Sequence, residues 1–433
     1  MAKRIFLTLF TLLISCRQFT NGQTEAREYA LRFLYSETHA VKTDSGFKLF
    51  YIYRIPYNRF VFVKDGDNYS AGFRISIEVT DSASNHVTRQ IDEENIFAGN
   101  YEETNSDNIY FEGVIKLNLP NGRFKLMPEI TDLNSNRDLK LQNLELNLGK
   151  LQKNIFIQPL VIQHDMPTCN GQQSYELTNF DNSIPFSEED YDLIIPSQDT
   201  SIRKINIVIL SGKDTLLNRK VEKHFTAQLI PEACKGKIIL SDLTEKRNET
   251  RPILNTEYFI LDNFSRKLIP GEMQIFISED DNPKGKAEFK IPVVWFNKPL
   301  SLYNPEDAIK YLEDIIDHRV VDSLLSFSSD EYPKVLLDYW KRYDPTKEFE
   351  FNPLMNEFYL RVDYAIKNFA TLSGKSGADT DRGKIYIKYG NPIKIERSSN
   401  QYGKVEENWI YEKPSKTFTF VDNEGTGNYT LIK

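Results

Sequence analysis

The 433-residue sequence predicts a multidomain chain: two all-β antiparallel sandwich domains followed by an α+β domain. Three observations predict it. Short apolar and aromatic runs recur from Phe47 to Trp295, several with period-two alternation, between turns rich in Gly, Asn, Asp and Pro. After Pro299 the apolar period lengthens to that of helices, with helix-start signals. At roughly 150 residues per domain, the length accommodates about three domains. The composition, with 40% hydrophobic and 27% charged residues, excludes collagen-like, disordered and disulfide-scaffold chains. A formal charge of -8 argues against a nucleic-acid partner.

The chain opens on Lys3 and Arg4, then an apolar run from Ile5 to Ile14. Ten helical residues cover only ~15 Å, half of a bilayer core, so the run reads as a signal peptide over residues 1–15. Leu13-Ile14-Ser15-Cys16 resembles the bacterial lipobox, in which cleavage precedes a Cys that carries lipid. Cys16 is therefore the expected lipid-attachment site, and residues 16–26 the lipidated tether. Two or more acyl chains hold a protein stably, at ~0.8 kcal/mol per buried CH₂. No acidic residue follows in Arg17-Gln18-Phe19-Thr20-Asn21, which points to a periplasm-facing outer-membrane lipoprotein.

Residues 27–150 form the first expected β domain. Phe47 to Tyr53 is an aromatic-rich strand, and Arg59 to Lys64 ends at the turn Asp65-Gly66-Asp67-Asn68. In Phe73 to Thr80, residues Phe73, Ile75, Ile77 and Val79 face one way and Arg74, Ser76 and Glu78 the other. Ile109 to Leu119, Gly122 to Met127 and Leu141 to Leu148 continue the series. A fresh start from Ile155 to Ile162 opens the second β domain, residues 151–299. Its strands are Lys204 to Leu210, Lys237 to Leu240, Glu257 to Leu261, Met273 to Ile277 and Ala287 to Trp295. Short strands at this spacing suit sandwiches of Ig or fibronectin-III type. Cys169 and Cys234 either pair, closing a loop of about 65 residues worth ~4 kcal/mol, or stand as two buried thiols.

Residues 300–433 form the α+β domain. Asn304-Pro305-Glu306-Asp307 is a helix start with Asn as N-cap and Pro at the first position. Ala308, Ile309, Leu312, Ile315 and Ile316 make the apolar stripe that follows. A second helix runs from Asp330 to Tyr343 and a third from Pro353 to Phe369. Gly383 to Tyr389, Asn408 to Tyr411, Thr417 to Val421 and Asn428 to Ile432 read as strands.

Three stretches of this last third stand together: Tyr339-Trp340-Lys341-Arg342-Tyr343-Asp344-Pro345-Thr346, then Asn356 to Val362, then Gly377-Ala378-Asp379-Thr380-Asp381-Arg382-Gly383 and on to Pro392. In this order and combination they resemble the GWxTD domain of Bacteroidetes envelope proteins. Ala378 stands where the family has its motif Trp. The resemblance implies taxon, envelope location and the fold of the last third, and it carries no catalytic residues.

The candidate polar cluster is Asp344, Asn356, Glu357, Arg361, Thr380, Asp381 and Arg382. Glu357 and Arg361 have the i,i+4 order that favours a pair. A loop 377–383 folded back on the third helix would bring Asp344, Asp381, Arg361 and Arg382 into a shared charge cluster. The sequence has no HxH or HExxH, no GxSxG elbow and no phosphate-binding loop, so neither catalytic residues nor a metal or other cofactor are expected. The acid runs Glu188-Glu189-Asp190 and Glu279-Asp280-Asp281-Asn282 lack the spacing of a calcium loop. The function expected is a non-catalytic structural or interaction module, anchored through lipid and meeting other envelope proteins or glycan. The alternatives are an envelope enzyme using C-terminal carboxylates on glycan or peptide, and a glycan-binding protein using its 12% aromatic content.

Overall fold

The computed structural model describes residues 35–43, 46–106, 109–148, 155–163, 175–178, 183–227, 229–234, 237–242, 256–280, 286–399 and 401–432. The leader and tether, with Cys16, and Cys169 lie outside them. The chain is mostly β, in several antiparallel sheets, with a small helical region near the C-terminus. Its contacts divide it into two units, up to Asn297 and from Lys298.

The first unit begins with strands β1 (Tyr35–Thr43), β2 (Gly46–Pro56), β3 (Val63–Asp65), β4 (Asn68–Asp81) and β5 (His86–Ala98). A short helix α1 (Tyr101–Thr104) precedes β6 (Tyr110–Leu119), β7 (Arg123–Asp132), β8 (Arg137–Lys140) and β9 (Leu144–Asn147). One sheet has the order β1-β2-β6, and the other gathers β3, β4, β5, β7, β8 and β9. The alternation read in Phe73 to Thr80 is realised. Phe73, Ile75 and Ile77 of β4 share a core with Leu126 and Ile130 of β7, and with Leu49, Tyr51 and Tyr53 of β2 from the facing sheet. Strand β2 is largely buried on both faces, because Ile52 on its other side, between Lys48 and Arg54, enters a second core. That accounts for its run of apolar residues without alternation.

The chain continues through β10 (Leu160–Gln163), β11 (Tyr175–Leu177), β12 (Ile184–Pro185), β13 (Asp192–Ser197), β14 (Lys204–Ser211) and β15 (Asp214–Ala227). Then come β16 (Leu229–Cys234), β17 (Lys237–Asp242), β18 (Thr256–Leu261), β19 (Gly271–Glu279) and β20 (Lys286–Val294). Of the run read from Ile155 to Ile162, only the end lies in a strand, and Phe156 makes an isolated bridge to Ser197. Strand β15 pairs with β14 along its first part and with β18 along its last, shifting register between Lys223 and Phe225. It thereby passes from one sheet to another. Ile205, Ile207 and Ile275 meet Leu193, Ile195 and Phe259 in one core between them. The opposite faces of β13 and β18, through Ile194 and Tyr258, pack with Ile52, Tyr35 and Val114. Strand β13 is consequently buried on both faces.

The second unit has helices α2 (Pro305–Lys310), α3 (His318–Leu325), α4 (Tyr332–Lys341), α5 (Pro353–Asn368) and α6 (Asp381–Tyr389). They precede a four-stranded antiparallel meander, β21 (Lys394–Ser399), β22 (Val405–Tyr411), β23 (Lys416–Asp422) and β24 (Tyr429–Leu431). Asn304 caps α2 as expected, its side chain accepting from the Asp307 amide at 3.4 Å. The stripe from Ala308 to Ile316 is not one helix. It stops at Lys310 and tightens into a 3₁₀ turn over Tyr311–Asp314, which leaves Ile315 37% exposed. Helix α3 is an element that the sequence reading passed over.

The main correction falls on Gly383 to Tyr389, which reads as a strand and is helix α6. Thr380 is its N-cap, and Gly383 and Ile387, one turn apart, are its buried positions. Capping and burial at helical spacing outweigh the β-propensity of the Ile-Tyr-Ile run.

Candidate functional site

The segment 377–383 joins α5, α6 and the sheet. A Cβ at Gly377 would overlap the carbonyl oxygen of Ala365 near the end of α5, and one at Gly383 would overlap that of Gly377. Both positions bring backbone against backbone, so a side chain is excluded by contact. Ala378 between them is 1% exposed. Thr380, 2% exposed, donates its hydroxyl to the Gly377 carbonyl at 2.8 Å and accepts from the Gly383 amide at 3.0 Å. Asp381 accepts from the Leu431 amide at 2.8 Å, which ties the start of α6 to the edge strand β24. The loop expected here is thus a 3₁₀ turn over Gly377–Asp379 and the first turn of a helix.

Arg382 extends from that first turn over the ring of Tyr429, 3.9 Å from its centroid, with Phe369 at 5.2 Å. It donates to Glu407 at 3.4 Å and to the Gly427 carbonyl at 3.3 Å. Its Nε is buried with no hydrogen-bond partner among the described residues. Glu407 is 1% exposed on β22 and accepts also from Arg397 at 2.8 Å and from the Trp409 indole at 3.2 Å. Two guanidinium groups and an indole N–H therefore surround a buried carboxylate, the condition under which such burial is tolerable. Nearby in sequence, Asp422 is caged by its own turn. Burial alone would raise it, but amides from Gly427, Thr426, Gly425 and Glu424 hold it below the usual carboxylate range.

The seven expected cluster residues fall into separate sets of contacts. Thr380, Asp381 and Arg382 make the junction just described. Glu357 and Arg361 pair on α5 at 2.7 Å, as their spacing suggests. Asp344 accepts from the amide and hydroxyl of Thr346, at 2.9 and 3.1 Å, in the turn after α4. Asn356 lies on α5 with its side-chain oxygen buried and no partner among the described residues. The reading missed Glu407, Trp409, Tyr429 and Asp422. One signal was available: Glu407 has the same strand parity as Trp409 and Tyr411, so it falls on the face that packs inward.

Asp314 is a second carboxyl that the reading missed. Burial pushes it up to about 6 against the opposing Lys384, with Asp379 and Glu313 adding to the rise. Among the described residues, no three His, Cys, Asp or Glu side chains gather to hold a metal ion. Of the acid runs, Asp190 pairs with Arg266 and Asp280 with Lys220. Cys234 is disulfide-bonded.

Comparison with known proteins adds three findings. No curated protein matches the chain. The C-terminal domain of the AgI/II polypeptide BspA from Streptococcus agalactiae is a similar solved structure at 7% identity and TM-score 0.16, covering 60% of this chain and 99% of that one. A second, described as BspA_C_WT, has 7% identity and TM-score 0.16 over 59% of this chain and 99% of that one. Likeness at this level carries no argument about fold or function. Residues 297–433, which hold the whole junction around Thr380, Asp381 and Arg382, match the GWxTD domain family.

Proposed function

We propose that the protein is a lipoprotein of the Bacteroidetes envelope, anchored in the outer membrane through Cys16 and facing the periplasm. Its β body and C-terminal domain act in this reading as a non-catalytic structural and interaction module. One observation carries the non-catalytic part. Thr380, Asp381 and Arg382 direct their polar groups into the domain, toward the Gly377 carbonyl, the Leu431 amide and Glu407. Groups engaged in this way hold a domain together and leave little to offer a substrate. The paired sheets that share each β core support a spacer built of sandwiches of Ig or fibronectin-III type.

The anchor is tested by feeding cells an alkyne fatty acid and fractionating them. The wild-type chain should label and pellet with membranes, and Cys16→Ser should do neither. A Cys16→Ser chain that still pellets would remove the anchor from this reading. A second reading, an envelope hydrolase acting on glycan or peptide, rests on Asp314, a raised carboxyl whose environment includes Asp379. Asp314→Asn and Asp379→Asn should leave any envelope phenotype unchanged if the first reading holds. Loss of that phenotype with the thermal midpoint intact would favour the hydrolase.

A further inference from the structure

The C-terminal meander has two edges that differ. At one, β24 is held by Asp381 at the start of α6. At the other, β21 pairs with β22 alone among the described residues, and all six of its residues are exposed. Unprotected edges recruit other strands, and natural sheets discourage this with charged side chains, including ones that point inward. Of the three charges on β21, Arg397 is turned to Glu407, and the other two carry opposite signs. Lys394 and Glu396 lie two residues apart on one face, with Ile395 between them on the other.

Ile395 stands opposite Trp409 in the register, and Trp409 in turn opposite Phe418. This is the face on which Phe369 packs against Trp409 and Tyr389 against Phe418. Ile395 therefore belongs to the apolar face yet is 44% exposed, and Ile393 beside it is 67% exposed. The core of the domain ends in an unfinished apolar margin.

We propose that β21 is a self-association edge, at which a second copy of this chain pairs antiparallel about a two-fold axis through Ile395. A dyad normal to the sheet keeps each face on its own side, so opposed residues share parity. Centred on Ile395, it sets Ile395 against its own copy and Lys394 against Glu396 of the partner, twice. Ile393 meets the aliphatic stem of Arg397 on the apolar face. Pro392, which has no amide hydrogen, falls outside the paired stretch. The two meanders become one eight-stranded sheet with continuous apolar faces. The Lys394–Glu396 contact within one strand, 2.7 Å and well exposed, is weak enough to be exchanged for the cross-strand pairs.

So short a strand pair implies a weak dimer, with a dissociation constant of about micromolar order or weaker. Sedimentation velocity of the full mature chain over about 1 µM to about 1 mM should show a monomer–dimer transition. Lys394→Glu and Glu396→Lys, each placing like charges opposite twice, should each weaken it by about tenfold. The double reversal K394E/E396K should restore it. All four proteins should keep the same thermal midpoint, since both positions are exposed. A chain that stays monomeric over the whole range overturns the proposal. So does a dimer that the single reversals leave unchanged, or one that the double reversal does not restore.

Discussion

Thr380, Gly377 and Gly383 show how a short motif can be architectural. Removing the Thr380 hydroxyl leaves the Gly383 amide unmatched in a buried place and the Gly377 carbonyl with only the Thr380 amide, at 3.3 Å. Thr380→Ala should therefore cost about 1–2 kcal/mol in urea unfolding, and Thr380→Ser should recover most of it. Gly383→Ala should be worse, because its Cβ meets backbone that no rotamer change can move. Glu407 is the most sensitive position of the junction. Its side chain is 2% exposed, and its loss leaves Arg382, itself 13% exposed, without its anion. Glu407→Ala should destabilise by about 3–5 kcal/mol, whereas Arg397→Ala, 72% exposed, should cost far less. An unchanged unfolding curve for Glu407→Ala would rule out this account of the junction. At this scale the sequence spoke through local order only. The Glu357–Arg361 pair was legible because both ends lie on one helix. The Arg382–Glu407 pair was not, because it spans two elements whose docking no spacing encodes.

At the scale of elements, legibility followed the number of buried faces. Strand β4 has one buried face, and its alternation read correctly. Strands β2 and β13 have two: β2 reads as an aromatic-rich run whose second partner the sequence does not name, and β13 is not among the strands the sequence predicts. Helix α6 was misread because a short segment with Ile385, Tyr386 and Ile387 satisfies both periods, and only docking chose between them. The apposition of β6 on β17 has a measurable consequence. Glu112 of β6 is pushed up to about 7 from an ordinary 4.5 by burial, against the pull of the neighbouring Arg54. Glu176 raises it further, and Lys237 with the Ile238 amide lowers it. The folded state then holds this proton more tightly than the unfolded chain does. The group's contribution to stability is complete below pH 4.5 and declines as pH rises toward 7. Glu112→Gln should flatten the decline in midpoint across that window. Were the variant and wild type to share one pH profile there, Glu112 would not be the titrating group.

For the whole molecule, the decisive questions are where it is held and what closes its loops. Cys234 is disulfide-bonded, and under the proposed reading, in which Cys16 is the lipid site, Cys169 is its one remaining partner among the three cysteines of the sequence. Non-reducing peptide mapping of the mature protein should recover a Cys169–Cys234 cross-link, and reduction should lower the unfolding free energy by about 4 kcal/mol. A free Cys169 thiol would place the bond elsewhere. Sequence alone determined what depends on contiguous residues: the alternation of β4, the cap at Asn304, and the change of period after Pro299. Tertiary structure alone decided what depends on residues far apart in the chain. It buried Ile52 and Ile194 in one core, turned Gly383–Tyr389 into a helix and joined Arg382 to Glu407. The physical reason is that a local pattern reports which face is apolar, while the identity of what covers that face is settled only when the elements pack.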